Sequence, residues 1–93
     1  MQRKILSEAE LRGSLAAMEN WNAVDSCIQR RFEFRDFAAA LDFVNKVGSL
    51  AEEADHHPDI TFGWGYAEIV LTTHDRGGVT DVDIALAARI NAI

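Results

Sequence analysis

The chain has one cysteine, Cys27, and one proline, Pro58, among 93 residues. A lone thiol closes no intrachain disulfide, so stability must come from a packed core, which suits a reducing cytoplasm. Basic residues are also few: nine Lys and Arg against fifteen Asp and Glu give a formal net charge of −6. That field repels phosphate and argues against nonspecific binding to nucleic acid or an anionic membrane surface. No apolar run approaches the roughly 18 residues of a membrane span. No long apolar stretch follows Met1-Gln2-Arg3-Lys4, so the start does not read as a signal peptide. Repeats, linkers, glycine-rich phosphate loops, HExxH and cysteine pairs are all missing. What is present suffices for one core. The composition, 48% hydrophobic and 26% charged, is globular, and the length fits a single domain over residues 1–93.

Local signals divide the chain into seven elements. Ser7-Glu8-Ala9-Glu10 is a capping box, with Leu6 and Leu11 placed as a hydrophobic staple. Leu11, Leu15 and Met18 mark one face of the helix that follows, which should end near Glu19-Asn20. Residues 22–25 read as a short strand and Asp25-Ser26 as a turn. In the next strand Ile28, Arg30, Phe32 and Phe34 alternate with Gln29, Arg31 and Glu33. Asp36 can cap a second helix whose apolar residues form two overlapping stripes. One runs through Phe37, Ala40, Leu41, Val44, Val47 and Ala51; the other through Phe43, Val47, Leu50 and Ala54. The second predicts more hydrophobic surface than one sheet face needs, and therefore a partner subunit. Residues 59–64 and 66–73 form another strand pair, with Ala67, Ile69, Leu71 and Thr73 on one face. After a loop at Asp75-Arg76-Gly77-Gly78, Thr80 caps a third helix with Asp83 three residues on. Val79 and Ile84 can staple it, and Leu86, Ala87, Ile90 and Ile93 supply its inner face. The order α-β-β-α-β-β-α predicts an α+β fold, a four-stranded antiparallel sheet with three helices on one face.

All three histidines fall in two segments, Glu52-Glu53-Ala54-Asp55-His56-His57-Pro58 and Thr72-Thr73-His74-Asp75. Both are element ends, where side chains for binding and catalysis are mounted on a rigid scaffold. Singly each has a bland reading: a helix terminus, a capped strand end and, for Asp83, a helix-start acid. Together they place every imidazole beside carboxylates. Adjacent side chains of an extended segment diverge, so His56 and His57 are badly placed to share a metal, and none is expected. Cys27 reads as a packed thiol. What remains is proton transfer, since imidazole titrates near neutrality and adjacent carboxylates hold its orientation.

Ala51-Glu52-x-x-Asp55-His56-His57-Pro58 followed, about 18 residues on, by Thr73-His74-Asp75-x-Gly77-Gly78-x-Thr80-x-x-Asp83-x-x-Leu86-Ala87 resembles the pterin-4a-carbinolamine dehydratase family. Trp21, Phe32, Phe34 and Asp36-Phe37 match its layout upstream. The resemblance implies dehydration of 4a-hydroxytetrahydrobiopterin, or a related pterin, to the quinonoid dihydropterin without metal or organic cofactor. That reaction recycles the pterin used in aromatic amino acid hydroxylation, which implies a functional link to a hydroxylase. It further implies His56, His57 and His74 as catalytic, with Asp55, Thr72, Thr73 and Asp75 lining the pterin site beside them. Glu52, Asp83 and Trp64 take supporting places. Many relatives carry an aromatic residue two positions after the proline, against which the pterin packs; here Ile60 stands there. The resemblance also implies a homodimer or homotetramer. Its alternative is a binding module, since relatives serve as dimerisation cofactors of a transcription factor or as enzyme assembly factors.

Overall fold

The computed structural model describes residues 4–93. Helix α1 (Glu8–Ala16) starts on the expected capping box: Ser7 Oγ accepts from the Glu10 amide at 3.1 Å, and Glu10 Oε1 accepts from the Ser7 amide at 2.9 Å. Leu6, Leu11, Leu15 and Met18 pack against the core. The helix stops earlier than its apolar spacing predicts. Ala17 and Met18 bond back to Ser14 and Leu15 in the tighter i−3 pattern, and Asn20 turns left-handed at φ 66°. This early stop brings Trp21 into the core.

Strands β1 (Asn22–Val24) and β2 (Cys27–Glu33) form a hairpin around Asp25, itself left-handed at φ 53°. Strands β3 (Asp59–Gly63) and β4 (Tyr66–Leu71) form the second. The hairpins meet through β2 and β4, giving an antiparallel sheet in the order β1-β2-β4-β3. Period-two alternation sets the faces. Ala67, Ile69 and Leu71 of β4 are fully buried, with Ile28 of β2 paired to Leu71. The three helices cover that face, with the predicted order.

Helix α2 (Phe37–Ala54) is capped by Asp36, whose carboxylate accepts from the Ala39 amide at 2.9 Å. Its stripes are not divided as the sequence suggests. Ala40, Phe43, Val47 and Ala51 are buried, and Leu50 and Ala54 pack against the core. The second stripe is therefore internal to the monomer, stacked through Phe43 on Phe32 and Phe34. The apolar residues left exposed are Phe37 and Leu41, from the first stripe. Helix α2 packs on α3 (Asp81–Asn91) as well as on the sheet, and two partners together cover what one sheet face would leave open. Ile93 does not join the inner face of α3 as its sequence spacing predicts. It lies past the end of α3 and is exposed, while Leu86, Ala87 and Ile90 form the buried face.

Candidate active site

The two histidine segments meet at the end of the sheet where α2 finishes and α3 begins. The C-terminus of α2 makes the first half of the site. Asp55 adopts the left-handed conformation, φ 50° and ψ 44°. Its amide bonds to the Glu52 carbonyl, and the His56 amide reaches Ala51 at 3.1 Å. This is a Schellman ending built without the usual glycine; a non-glycine residue there costs about 1–2 kcal/mol. The reversal sends the two neighbouring rings apart, as expected. His56 goes inward and is 7% exposed. His57 stays outside, its Nε2 paired with Glu52 Oε2 on the last turn of α2.

The second half follows β4. Thr72 Oγ1 donates to the Ser26 carbonyl at 2.7 Å, tying this end of β4 to the β1–β2 turn. The Thr73 amide donates to the Gly78 carbonyl, and the Thr73 carbonyl accepts from Arg76 and Gly77. These bonds pinch off a one-turn 3-10 segment, His74–Arg76, whose closure requires Gly77 at φ 74°. A small closed loop thus holds His74 in an exposed position at the strand end.

Asp83 joins the halves. It is the third residue of α3 and fully buried. Oδ1 lies 2.5 Å from His56 Nε2, across 27 residues of sequence. Oδ2 accepts from the Thr73 hydroxyl at 2.8 Å and from the Thr80 amide at 2.8 Å. One oxygen of Asp83 thus closes the capping box at the start of α3 while the other meets His56. Buried carboxylates need such full satisfaction. Since Nε2 is committed to Asp83, His56 has only Nδ1 with which to exchange a proton with a bound molecule.

Asp55, His56, His57, Thr72, Thr73, His74 and Asp75 line one open cleft of about 360 Å³. Two larger grooves, of about 460 and 490 Å³, run beside α2 and share Lys46 and Ile93. Neither is lined by a histidine; all three imidazoles line the smaller cleft. Among the described residues no group of three or more His, Cys, Asp or Glu side chains is arranged to hold a metal ion. Cys27 lies in β2 as a free, partly buried thiol.

Two sequence expectations fall outside this cleft. Trp64 is 72% exposed at the β3–β4 turn, the opposite end of β4 from Thr72 and Thr73, so within one chain it does not approach the site. Ile60 pairs with Ile69 and packs against the core. A side chain at position 60 therefore serves the sheet's inner face. Thr80, read from sequence only as a helix cap, touches both Thr73 and Asp83. Its capping box was the one local hint, since that motif folds Asp83 back onto Thr80.

Comparison with known proteins converges on one family. The family model for pterin 4 alpha carbinolamine dehydratase matches residues 4–93. A Rubrobacter xylanophilus protein provisionally assigned as a pterin-4-alpha-carbinolamine dehydratase is 47% identical over 89 residues, 95% of this chain and 83% of that one. One from Picosynechococcus with the same provisional assignment is 44% identical, covering 95% of this chain and 96% of its own. Among solved structures, a transcriptional coactivator/pterin dehydratase from Brucella melitensis superposes with a TM-score of 0.91 at 36% identity, over 96% of this chain and 97% of that one. A pterin dehydratase-like protein identified as a RuBisCO assembly factor in the alpha-carboxysome superposes with a TM-score of 0.64 at 28% identity, over 78% and 84%. No helix among the described residues is long and apolar enough to cross a membrane.

Proposed function

The chain belongs to the pterin 4 alpha carbinolamine dehydratase family, and from that premise we propose that it dehydrates a 4a-hydroxytetrahydropterin, such as 4a-hydroxytetrahydrobiopterin, to the quinonoid dihydropterin. The observation that carries this reading is the convergence of all three histidines on one cleft, with His56 fixed to a buried carboxylate. The reaction needs one acid and one base. The N5 proton leaves, the N5 electron pair forms the double bond to C4a, the C4a–O bond breaks, and the hydroxyl takes a proton and departs as water. His56, through Nδ1, and His74 supply the two proton transfers, each contributing about 10²–10⁴-fold. His57, held by Glu52, adds a polar contact from the outer wall, and Asp55, Thr72, Thr73 and Asp75 orient the pterin. Loss of water changes no oxidation state and calls for no redox cofactor, and two imidazoles suffice for its two proton transfers without a metal. Following the ultraviolet decay of 4a-hydroxytetrahydropterin tests the reading. Acceleration over the spontaneous rate is expected, surviving exhaustive chelation; an unchanged decay would overturn it.

In this reading the enzyme is cytoplasmic and works beside an aromatic amino acid hydroxylase whose spent pterin it recycles. It acts as a homodimer or homotetramer. The support is the pair of sheet edges, β1 and β3, and the half-exposed Phe37 and Leu41 on α2. Sedimentation at micromolar concentration checks this, and a clean 10 kDa species would refute it. The alternative, a protein-binding module, draws on the two solved relatives, one a transcriptional coactivator/pterin dehydratase and the other a RuBisCO assembly factor. The same decay assay separates the two, since a pure binding module leaves the spontaneous rate unchanged.

A further inference from the structure

The chain of polar groups behind His56 continues one residue beyond Asp83 and Thr73. Thr80 Oγ1 lies 2.8 Å from Thr73 Oγ1, and both residues are buried. Distance alone allows either hydroxyl to donate, but proton counting decides. A threonine hydroxyl has one proton. Thr73 gives its proton to Asp83 Oδ2. Thr80 must therefore donate to Thr73. Its proton is available, because in its other contact Thr80 Oγ1 accepts, from the Val82 amide at 3.3 Å. With Oδ2 filled by Thr73 and the Thr80 amide, Oδ1 faces His56 Nε2. The donations run one way, from Thr80 through Thr73 to Asp83, and the neutral His56 ring carries its hydrogen on Nε2.

We propose that Thr80 is a positioning residue for His56: through Thr73 its hydroxyl fixes the Asp83 carboxylate in the orientation that holds the His56 ring and presents its Nδ1 lone pair to a molecule in the cleft; the catalytic side of this role rests on the dehydratase reading above. A helix cap alone does not demand this residue. Capping needs an acceptor, which an aspartate supplies equally well. Donation to Thr73 needs a hydroxyl. The surrounding chain also closes the Thr80 end against water. Ile5 forms an antiparallel bridge with Thr80, and the Leu6 amide donates to the Val79 carbonyl at 3.0 Å. Ile5 Cδ1 packs so closely over Gly78 that a Cβ there would lie 3.2 Å from it. Sealed from solvent, the relay cannot replace a lost hydroxyl with bulk water.

The test uses the full chain labelled with ¹⁵N-histidine, together with the decay assay. In the wild type the His56 ring should show the Nε2–H tautomer. Thr80→Val should loosen the Asp83–His56 contact, read as a shift of the His56 ring-nitrogen resonances from their wild-type positions, and lower kcat about tenfold, the scale of one lost hydrogen bond, with KM nearly unchanged. Thr80→Ser should restore both. A wild-type His56 spectrum in Thr80→Val, or a Thr80→Ser protein as impaired as Thr80→Val, would overturn the role. If Thr80→Val does not fold, Thr73→Val decides, because the relay passes through it while the Thr80 cap remains. An unchanged His56 spectrum there rejects the proposal and a shifted one supports it. A wild type that shows the expected tautomer and a shifted His56 spectrum in Thr80→Val, yet leaves the pterin decay untouched, would sink the dehydratase reading and leave the positioning of His56 by Thr80 standing.

Discussion

His56 and His57 are neighbours in the chain and opposites in the structure. His57 takes its partner from the helix just before it, Glu52, five residues back, and both side chains are more than half exposed. His56 takes its partner from another helix, Asp83, and both are buried. Exposed ion pairs contribute about 0–1 kcal/mol because water screens them and mobile side chains lose entropy when paired. A buried pair has no water to fall back on, so removing one member strands the other. The same residue type beside the same acid chemistry thus does two different jobs, one adjustable and one fixed. The cause is a single left-handed residue, Asp55, placed where α2 ends.

The sharpest way to break this comparison is to remove the rings. His56→Ala and His74→Ala should each lower the dehydration rate by about 10²–10⁴-fold, the double variant falling further. His74→Ala should keep its melting temperature, because His74 is exposed on its loop; wild-type rates in a folded His74→Ala protein would refute its assignment. Next comes the carboxylate. Asp83→Asn keeps an acceptor for Thr73 and Thr80 but turns an amide toward His56, which forces the hydrogen from Nε2 to Nδ1. Activity should fall by about 10–100-fold. Stability should fall too, since a helix-start charge is worth about 0.3–1 kcal/mol. Kinetics and thermal denaturation on one preparation check both. A stability loss without a rate loss would mean that Asp83 only starts α3.

On the exposed side the effects shrink. Glu52→Gln should change the rate by less than about fivefold, the kinetic equivalent of a surface pair. A loss as large as that of Asp83→Asn would erase the contrast between the two histidines. The smallest effect belongs to α1, which buries no residue. The Glu10 carboxyl is held below its ordinary range, first by the Ser7 amide, then by the Ser7 hydroxyl and Lys4. A depressed folded-state value gives stability that is present above the unfolded value and lost as the pH falls through the folded one. Amide-exchange protection factors in α1 should therefore fall in acid before those in α2, and Glu10→Gln should remove that pH dependence.

Periodicity and capping chemistry alone determined the elements of this protein. The Ser7, Asp36 and Thr80 caps, the alternation in β2 and β4, and the two hairpins all depend on residues within one turn or one strand pair. Such interactions are legible from spacing, because the backbone repeats every 3.6 or 2 residues. The site residues were legible as candidates for a related reason: polar, titratable side chains at element ends stand out from a periodic background. Tertiary structure decided the rest. It chose which histidine of the adjacent pair is buried, because the turn at Asp55 fixes the direction of each ring. It made the Phe43–Ala54 stripe internal, because α2 packs on a helix as well as a sheet, and it set Trp64 at the far end of its hairpin. It also closed Thr80, Thr73, Asp83 and His56 into one chain. A contact spanning 27 residues depends on how α2, β4 and α3 pack together, and no local pattern encodes that distance.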